Sequence, residues 1–119
     1  RSALMSTSEC IFCGMARDSG HKAPIYRDER VFVLRDINPK APTHLLIIPN
    51  MHLPSLAYIG PGQVPIMGHL FVVAEEMARR EGVTLSGYRL VLNQGPDSKQ
   101  EIEHLHLHLL GGQPFGNMG

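Results

Sequence analysis

The chain has no excess of either charge: eleven Lys and Arg balance eleven Asp and Glu, for a formal net charge of zero. It has no block of like charge either, which argues against a long nucleic-acid backbone or an anionic membrane as partner. A small anionic ligand stays open, because it needs only a local pocket. The apolar runs are too short to cross a bilayer, and no cationic segment followed by an apolar core marks export. Two cysteines, Cys10 and Cys13, are too few for a secreted disulfide framework. Internal repeats and low-complexity segments are also missing. These absences point to a cytoplasmic protein whose 119 residues form one domain, 1–119, large enough to bury a core without staples. The opening residues 1–4 (RSAL) read as an expression remnant, with the natural chain beginning at Met5.

What is present is regular patterning. Residues 10–17 (CIFCGMAR) suit a short helix or turn. Residues 24–27 and 30–36 read as a hairpin, with VFVLR as the apolar part of its second strand. Two prolines make 38–42 a loop, and LLIIP at 45–49 is a strand covered on both faces. A Pro- and Gly-rich loop follows over 50–62, with a turn of helix near Ser55. Residues 63–81 then form a long helix stopped by Gly82, with Arg79 and Arg80 complementing its dipole. Ile66, Leu70, Val73 and Met77 make its core stripe. Met67, Phe71 and the small Ala74 lie beside that stripe as a second apolar line. Strands at 88–93 and 105–110 complete an α+β fold: an antiparallel sheet of about five strands, with one long and one short helix.

Near the end, HLHLHLL (104–110) alternates histidine with leucine. Strict alternation is the period of a strand, so the three imidazoles share one face and the leucines the other. Three readings fit. One is a solvent-facing row of polar rings. Another is an HxH metal site, although His104 and His108 would stand roughly 13 Å apart, too far for one ion. The third is chemistry at phosphorus, in which one imidazole attacks while its neighbour holds the phosphate or the departing group.

The triad is followed by GGQPFG, and the chain also carries YRLVLN ending at Asn93 and DINPKAPTHLLIIP at 36–49. Together these blocks resemble the histidine-triad superfamily of nucleotide hydrolases and transferases, most closely its nucleotide-binding phosphoramidase branch. The match runs from about Cys10 to Met118. The resemblance implies the histidine-triad fold and a two-fold homodimer that pairs the long helices and extends the sheet. It implies His106 as nucleophile, His108 as its phosphate-side partner, and His44 as a supporting histidine. It places phosphate contacts at Asn93, Lys99, Gln100 and Glu101, and a ribose-binding carboxylate at Asp36, followed by Ile37. It also places an apolar base slot at Ile11, Phe12, Leu34 and Leu46. Lys99 departs from the family's usual glycine: a positive φ there would strain lysine by roughly a kcal/mol, or the lysine could add a phosphate contact. Ser19-Gly20-His21 replaces the family's EIP segment, which would open one wall of the base pocket.

The CxxC of Cys10 and Cys13 leaves three possibilities: a redox pair, buried free thiols, or half of a zinc site. Adding His52 and His104 completes a closed tetrahedral set, the arrangement of the superfamily's zinc-bearing branches. We therefore expect a structural zinc on these four residues. The function expected is hydrolysis of AMP or GMP phosphoramidates, or related nucleoside 5′-monophosphate conjugates, through a nucleotidyl-histidine. The alternatives are a nucleotide-binding or interaction module with little turnover, and a dinucleoside polyphosphate hydrolase or nucleotidyl transferase.

Overall fold

In the computed structural model, which describes residues 10–17 and 23–118, the apolar runs pair into one antiparallel sheet. Its strands are β1 (Tyr26–Arg27), β2 (Val31–Arg35), β3 (Thr43–Pro49), β4 (Tyr88–Val91) and β5 (Leu107–Gly111), in the order β1-β2-β3-β5-β4. The central strand β3 is the continuous apolar run, and both its faces are covered. The helices are α1 (Ile11–Arg17) and α2 (Val64–Glu81). The expected Ser19-Gly20-His21 opening and the expression remnant lie outside the described residues.

On one face, α2 lays Leu70, Val73, Ala74, Met77 and Ala78 against Val31, Val33, Leu45, Ile47, Leu107 and Leu109. Each fully buried aliphatic side chain here contributes about 1.5–3 kcal/mol by leaving water. Gly82 ends the helix at φ 73°, a left-handed turn that costs glycine little, and its N–H caps the carbonyls of Ala78 and Arg79. A bidentate pair from Arg35 to Glu81, at 2.9 and 2.8 Å, fastens the helix end to β2.

One expectation for α2 is corrected. Ala74 is fully buried in this core and does not face outward. Met67 also packs against the core. The outward apolar line is instead Val64, Phe71 and Val72, with Gly68 leaving open space between them. Three- and four-residue steps from Val64 keep these positions on one side of the helix.

The opposite face carries a second, smaller core. There α1 sets Cys10, Phe12 and Cys13 against Phe32 and Ile48. Antiparallel register places His44, opposite Leu110, and Leu46, opposite His108, on this same face. In β5 the sheet therefore presents Leu107 and Leu109 to α2 and His108 to the opposite face.

Candidate functional site

The alternation of the triad holds, but the ladder begins only at Leu107. Residues 104–106 run ahead of it, anchored by the Leu105 N–H donating to Leu53 O at 2.7 Å. His104 is fully buried and His106 nearly so. The row is therefore not a solvent-facing one: Phe12 of α1 covers His104 and His106, and His108 is half-buried on a cavity wall. The Phe12 ring meets His104 and His106 edge-on, with centroids 5.7 and 5.3 Å away.

The hydrogen bonds assign protons to the rings. His106 Nδ1 lies 2.7 Å from the His104 carbonyl. A carbonyl can only accept, so Nδ1 carries the hydrogen and Nε2 keeps its lone pair. His44 is held the other way. The Lys40 N–H donates to His44 Nδ1 at 3.0 Å, which leaves the hydrogen on Nε2. That Nε2 lies 2.9 Å from His108 Nδ1, which must accept, so His108 carries its own hydrogen on Nε2. Two rings with centroids 5.0 Å apart thus hold opposite tautomers: His106 a bare nitrogen, His108 an N–H.

Burial favours the neutral forms. It lowers the pKa of His106 and of His44, and it pushes His108 to about 4 with help from His106 and His44. Asp36 Oδ1 accepts the Asn38 N–H at 2.8 Å in a turn, while Oδ2 lies 3.5 Å from His44 Nε2.

These groups open onto a cavity of about 380 Å³. Asp36, His44, His106, His108, Asn93, Lys99, Gln100 and Glu101 all line it, as do Phe12 and Leu46. The other expected apolar residues do not. Ile11 and Ile37 are exposed, at 51% and 88%, and Leu34 packs into the core beneath α1. Asn38, Lys40, Val91, Ile102 and Leu110 line the cavity without having been anticipated. Val91 pairs with His108 across the ladder, so the signal for it was strand register, which composition does not supply.

The loop after Asn93 turns through Pro96–Ser98 and is braced from within. Gln100 Oε1 accepts the Gly95 N–H at 2.8 Å, and its Nε2 donates to Ile102 O at 3.1 Å. Lys99 adopts φ 67°, the one positive φ outside glycine among the described residues. The loop keeps the left-handed turn and holds lysine in it.

A second cluster lies behind Phe12. His104 Nδ1 is 3.2 Å from Cys10 Sγ, 3.5 Å from Cys13 Sγ and 3.3 Å from His52 Nδ1, and Cys13 Sγ is 3.1 Å from His52 Nδ1. His104 Nε2 donates to Pro49 O at 2.8 Å, so its Nδ1 is a bare lone pair aimed into the cluster. Among the described residues His52 Nε2 has no hydrogen-bond partner, and its Nδ1 faces the cluster. Zinc–nitrogen and zinc–sulfur bonds of about 2.0–2.1 and 2.3 Å in a tetrahedron give ligand separations of roughly 3.3–3.7 Å. The four residues fit such an ion. Asp36, His44 and His108 also converge, with ligand atoms within 4.8 Å of one another. There, the Lys40 N–H on Nδ1 forces the hydrogen of His44 onto the nitrogen that would have to bind, so the protonation argues against a metal.

A HIT domain model matches residues 19–115. The chain is 40% identical over 110 residues to a purine nucleoside phosphoramidase of Escherichia coli K12, covering 92% of each protein. It is 41% identical to a 14 kDa zinc-binding protein of Zea mays, over 92% of this chain and 86% of that one. The fold superposes on a histidine triad protein from Clostridium difficile with a TM-score of 0.86 and 37% identity, covering 97% of this chain and all of the other. Among the described residues, no helix is long and apolar enough to cross a membrane.

Proposed function

We propose, from the premise that this chain belongs to the HIT domain family, that it is a purine nucleotide-binding hydrolase cleaving nucleoside 5′-phosphoramidates or related conjugates. The observation that carries this reading is the opposite protonation of His106 and His108 on one cavity wall. Nε2 of His106 attacks the α-phosphorus, and the P–N or P–O bond to the leaving group breaks as the N–P bond forms. The Nε2–H of His108 donates a hydrogen bond to the departing atom and steadies its charge, and that atom leaves with a proton taken from solvent water. Water then attacks the phosphorus, the N–P bond breaks with its electron pair returning to His106 Nε2, and the water's proton passes to solvent. One difficult displacement becomes two easier ones.

Asp36 accepts from the ribose hydroxyls through Oδ2 and the free lone pair of Oδ1. Phe12 and Leu46 form the apolar wall for the base. Ile11 and Ile37, chain neighbours of lining residues, are positioned to be covered when a base is seated. Asn93, Lys99 and Glu101 stand on the phosphate side. Gln100 acts mainly by bracing the loop that presents them.

Cys10, Cys13, His52 and His104 hold a zinc ion, whose role is to stabilise the fold at a closed site. A second copy of the chain covers Val64, Phe71 and Val72, with Gly68 admitting close approach, and the edge strand β4 joins its counterpart. Light scattering at micromolar concentration should give a dimer mass. The reading keeps a single domain acting in the cytoplasm.

The test is a single-turnover reaction with an AMP phosphoramidate, comparing wild type with His106→Gly and following protein-bound AMP. Wild type should accumulate the adduct and the variant should not. A wild type that binds AMP but never forms an adduct would favour the alternative, a binding module held inactive by its strained Lys99 loop.

A further inference from the structure

The two histidine clusters are physically connected, and the connection runs through α1. Phe12 sits between the ligand residues Cys10 and Cys13 on the sequence, and its side chain is 3% exposed. Its ring meets His104 at an interplanar angle of 90° and His106 at 73°. It therefore touches one member of the cysteine cluster and the reacting ring at once. His104 makes a second connection: its imidazole belongs to the cluster, while its backbone carbonyl accepts the Nδ1 hydrogen of His106 at 2.7 Å. Three segments meet here. They are α1, the strap that carries His52 and Leu53, and residues 104–106, which are tied to that strap at Leu53 O.

We propose that Phe12 and His104 are positioning residues that aim the nucleophile, so that an intact cysteine cluster is required for the covalent step as well as for stability. This rests on the reading of His106 as nucleophile. The physical reason is geometric. A buried imidazole can turn over about its Cβ–Cγ bond, which puts Cδ2 where Nδ1 was and Cε1 where Nε2 was, unless its neighbours block it. The Phe12 ring, packed across His106 with centroids 5.3 Å apart, obstructs that turn, and the His104 carbonyl rewards only one orientation. If α1 lifts when the cluster is lost, the Phe12 edge leaves the His106 ring. If residues 104–106 shift, the carbonyl moves off Nδ1. Either change lets both tautomers occur and takes the bare Nε2 away from the cavity. A misplacement of about 1 Å at a reacting group is enough to cost roughly a hundredfold in rate.

The experiment compares wild type, Phe12→Leu and Cys13→Ser, each checked for folding by circular dichroism well below its melting temperature. Phe12→Leu keeps apolar bulk and the whole cluster but removes the ring edge. Nitrogen-15 spectra of the histidines report the His106 tautomer directly and need no substrate. Adenylylation by an AMP phosphoramidate and AMP affinity are read alongside. Wild type should show a single His106 tautomer with hydrogen on Nδ1. Both variants should show mixed tautomers and an adenylylation rate at saturating phosphoramidate at least about tenfold lower; saturation separates this loss from any fall in AMP affinity caused by disturbing the base wall at Phe12. Restoring the ring with Phe12→Tyr should recover the single tautomer. The proposal is overturned if both variants keep the wild-type tautomer, or if the melting temperature of Cys13→Ser drops while its adenylylation rate stays at the wild-type value. Failure of the nucleophile assignment has a different signature, because wild type would then form no adduct whatever its tautomer.

Discussion

The closed cluster of Cys10, Cys13, His52 and His104 and the open cluster of Asp36, His44 and His108 are built from similar parts on one face of one sheet. Ligand-like atoms converge in both. Protons separate them. In the closed cluster the Pro49 carbonyl holds the hydrogen of His104 on the far nitrogen, which leaves a lone pair inside. In the open cluster the Lys40 N–H holds the hydrogen of His44 on the near nitrogen, which leaves an N–H inside. One backbone acceptor and one backbone donor therefore divide seven side chains into a metal-compatible set and a hydrogen-donating set. His106, two residues after His104, belongs with the second.

The sharpest way to break this comparison is to remove the bare nitrogen. His106→Ala should lower turnover by at least about a thousandfold while AMP affinity and melting temperature stay near wild type, because only the covalent route is lost. Steady-state kinetics with calorimetric AMP binding checks it. Activity within a few-fold of wild type would end the assignment. His108→Ala should cost less, on the order of a hundredfold, with the loss shrinking as the leaving group becomes more acidic and needs less help from a donated hydrogen bond. A loss that does not depend on the leaving group would remove His108 from its role at the departing atom.

The closed cluster should answer to metal and not to leaving group. Strong chelation should lower the melting temperature by more than about 10 °C, since the unfolded chain lacks the assembled site and metal affinity adds to folding stability. Metal analysis should find about one zinc per chain. A chelated protein with an unchanged melting temperature would return Cys10 and Cys13 to the status of buried thiols.

The open cluster should answer to pH. Burial holds His108 at about 4 in the folded chain, against an ordinary value of 6.5. Between those values the unfolded chain binds a proton that the folded chain refuses. The stability associated with the neutral ring is therefore complete above pH 6.5 and is lost as pH falls toward 4. Melting temperatures measured across that interval should fall with acidity, and less steeply in His108→Gln.

How much of this was legible beforehand depends on the distance in sequence over which the signal acts. The long helix and its Gly82 stop were legible, because apolar spacing and a capping glycine are local. So was the covering of β3 on both faces, since LLIIP offers no polar side to water. The helix line beside the core was misassigned at Ala74, because an alanine carries too little apolar weight to mark which face it serves. The cysteine and histidine residues of the closed cluster could be named from the chain, but their convergence needed the fold: Cys10 and His104 are far apart in sequence. Lys40, Val91 and Leu110 were missed as cavity walls because their place follows from register and from a turn. The tautomers were legible only in part. That a buried ring such as His106 would donate to a carbonyl follows from chemistry, whereas the Lys40 N–H that orients His44 is a detail of one loop.

The smallest expected effect lies at Lys99, on the rim of the open site. Its φ of 67° is the left-handed region, which glycine enters freely and lysine enters at a cost of roughly 1 kcal/mol. The N–H of Lys99 donates to Pro96 O at 3.0 Å, so the turn is held by backbone and does not need the side chain. Lys99→Gly should relieve the strain and raise the melting temperature by a few degrees, about 2–6 °C for a chain of this size, less whatever the added freedom of the unfolded glycine takes back. The same substitution removes a cation from the phosphate side of the cavity. If the lysine contacts phosphate, the gain in stability should come with a rise in KM, and Lys99→Asn, which tolerates the left-handed turn but carries no charge, should raise KM equally. If the lysine only strains the loop, both variants should keep KM, and turnover should hold or rise. Differential scanning fluorimetry and steady-state kinetics on these two variants separate the outcomes, and a Lys99→Gly protein that melts lower than wild type would show that the lysine stabilises the loop it occupies.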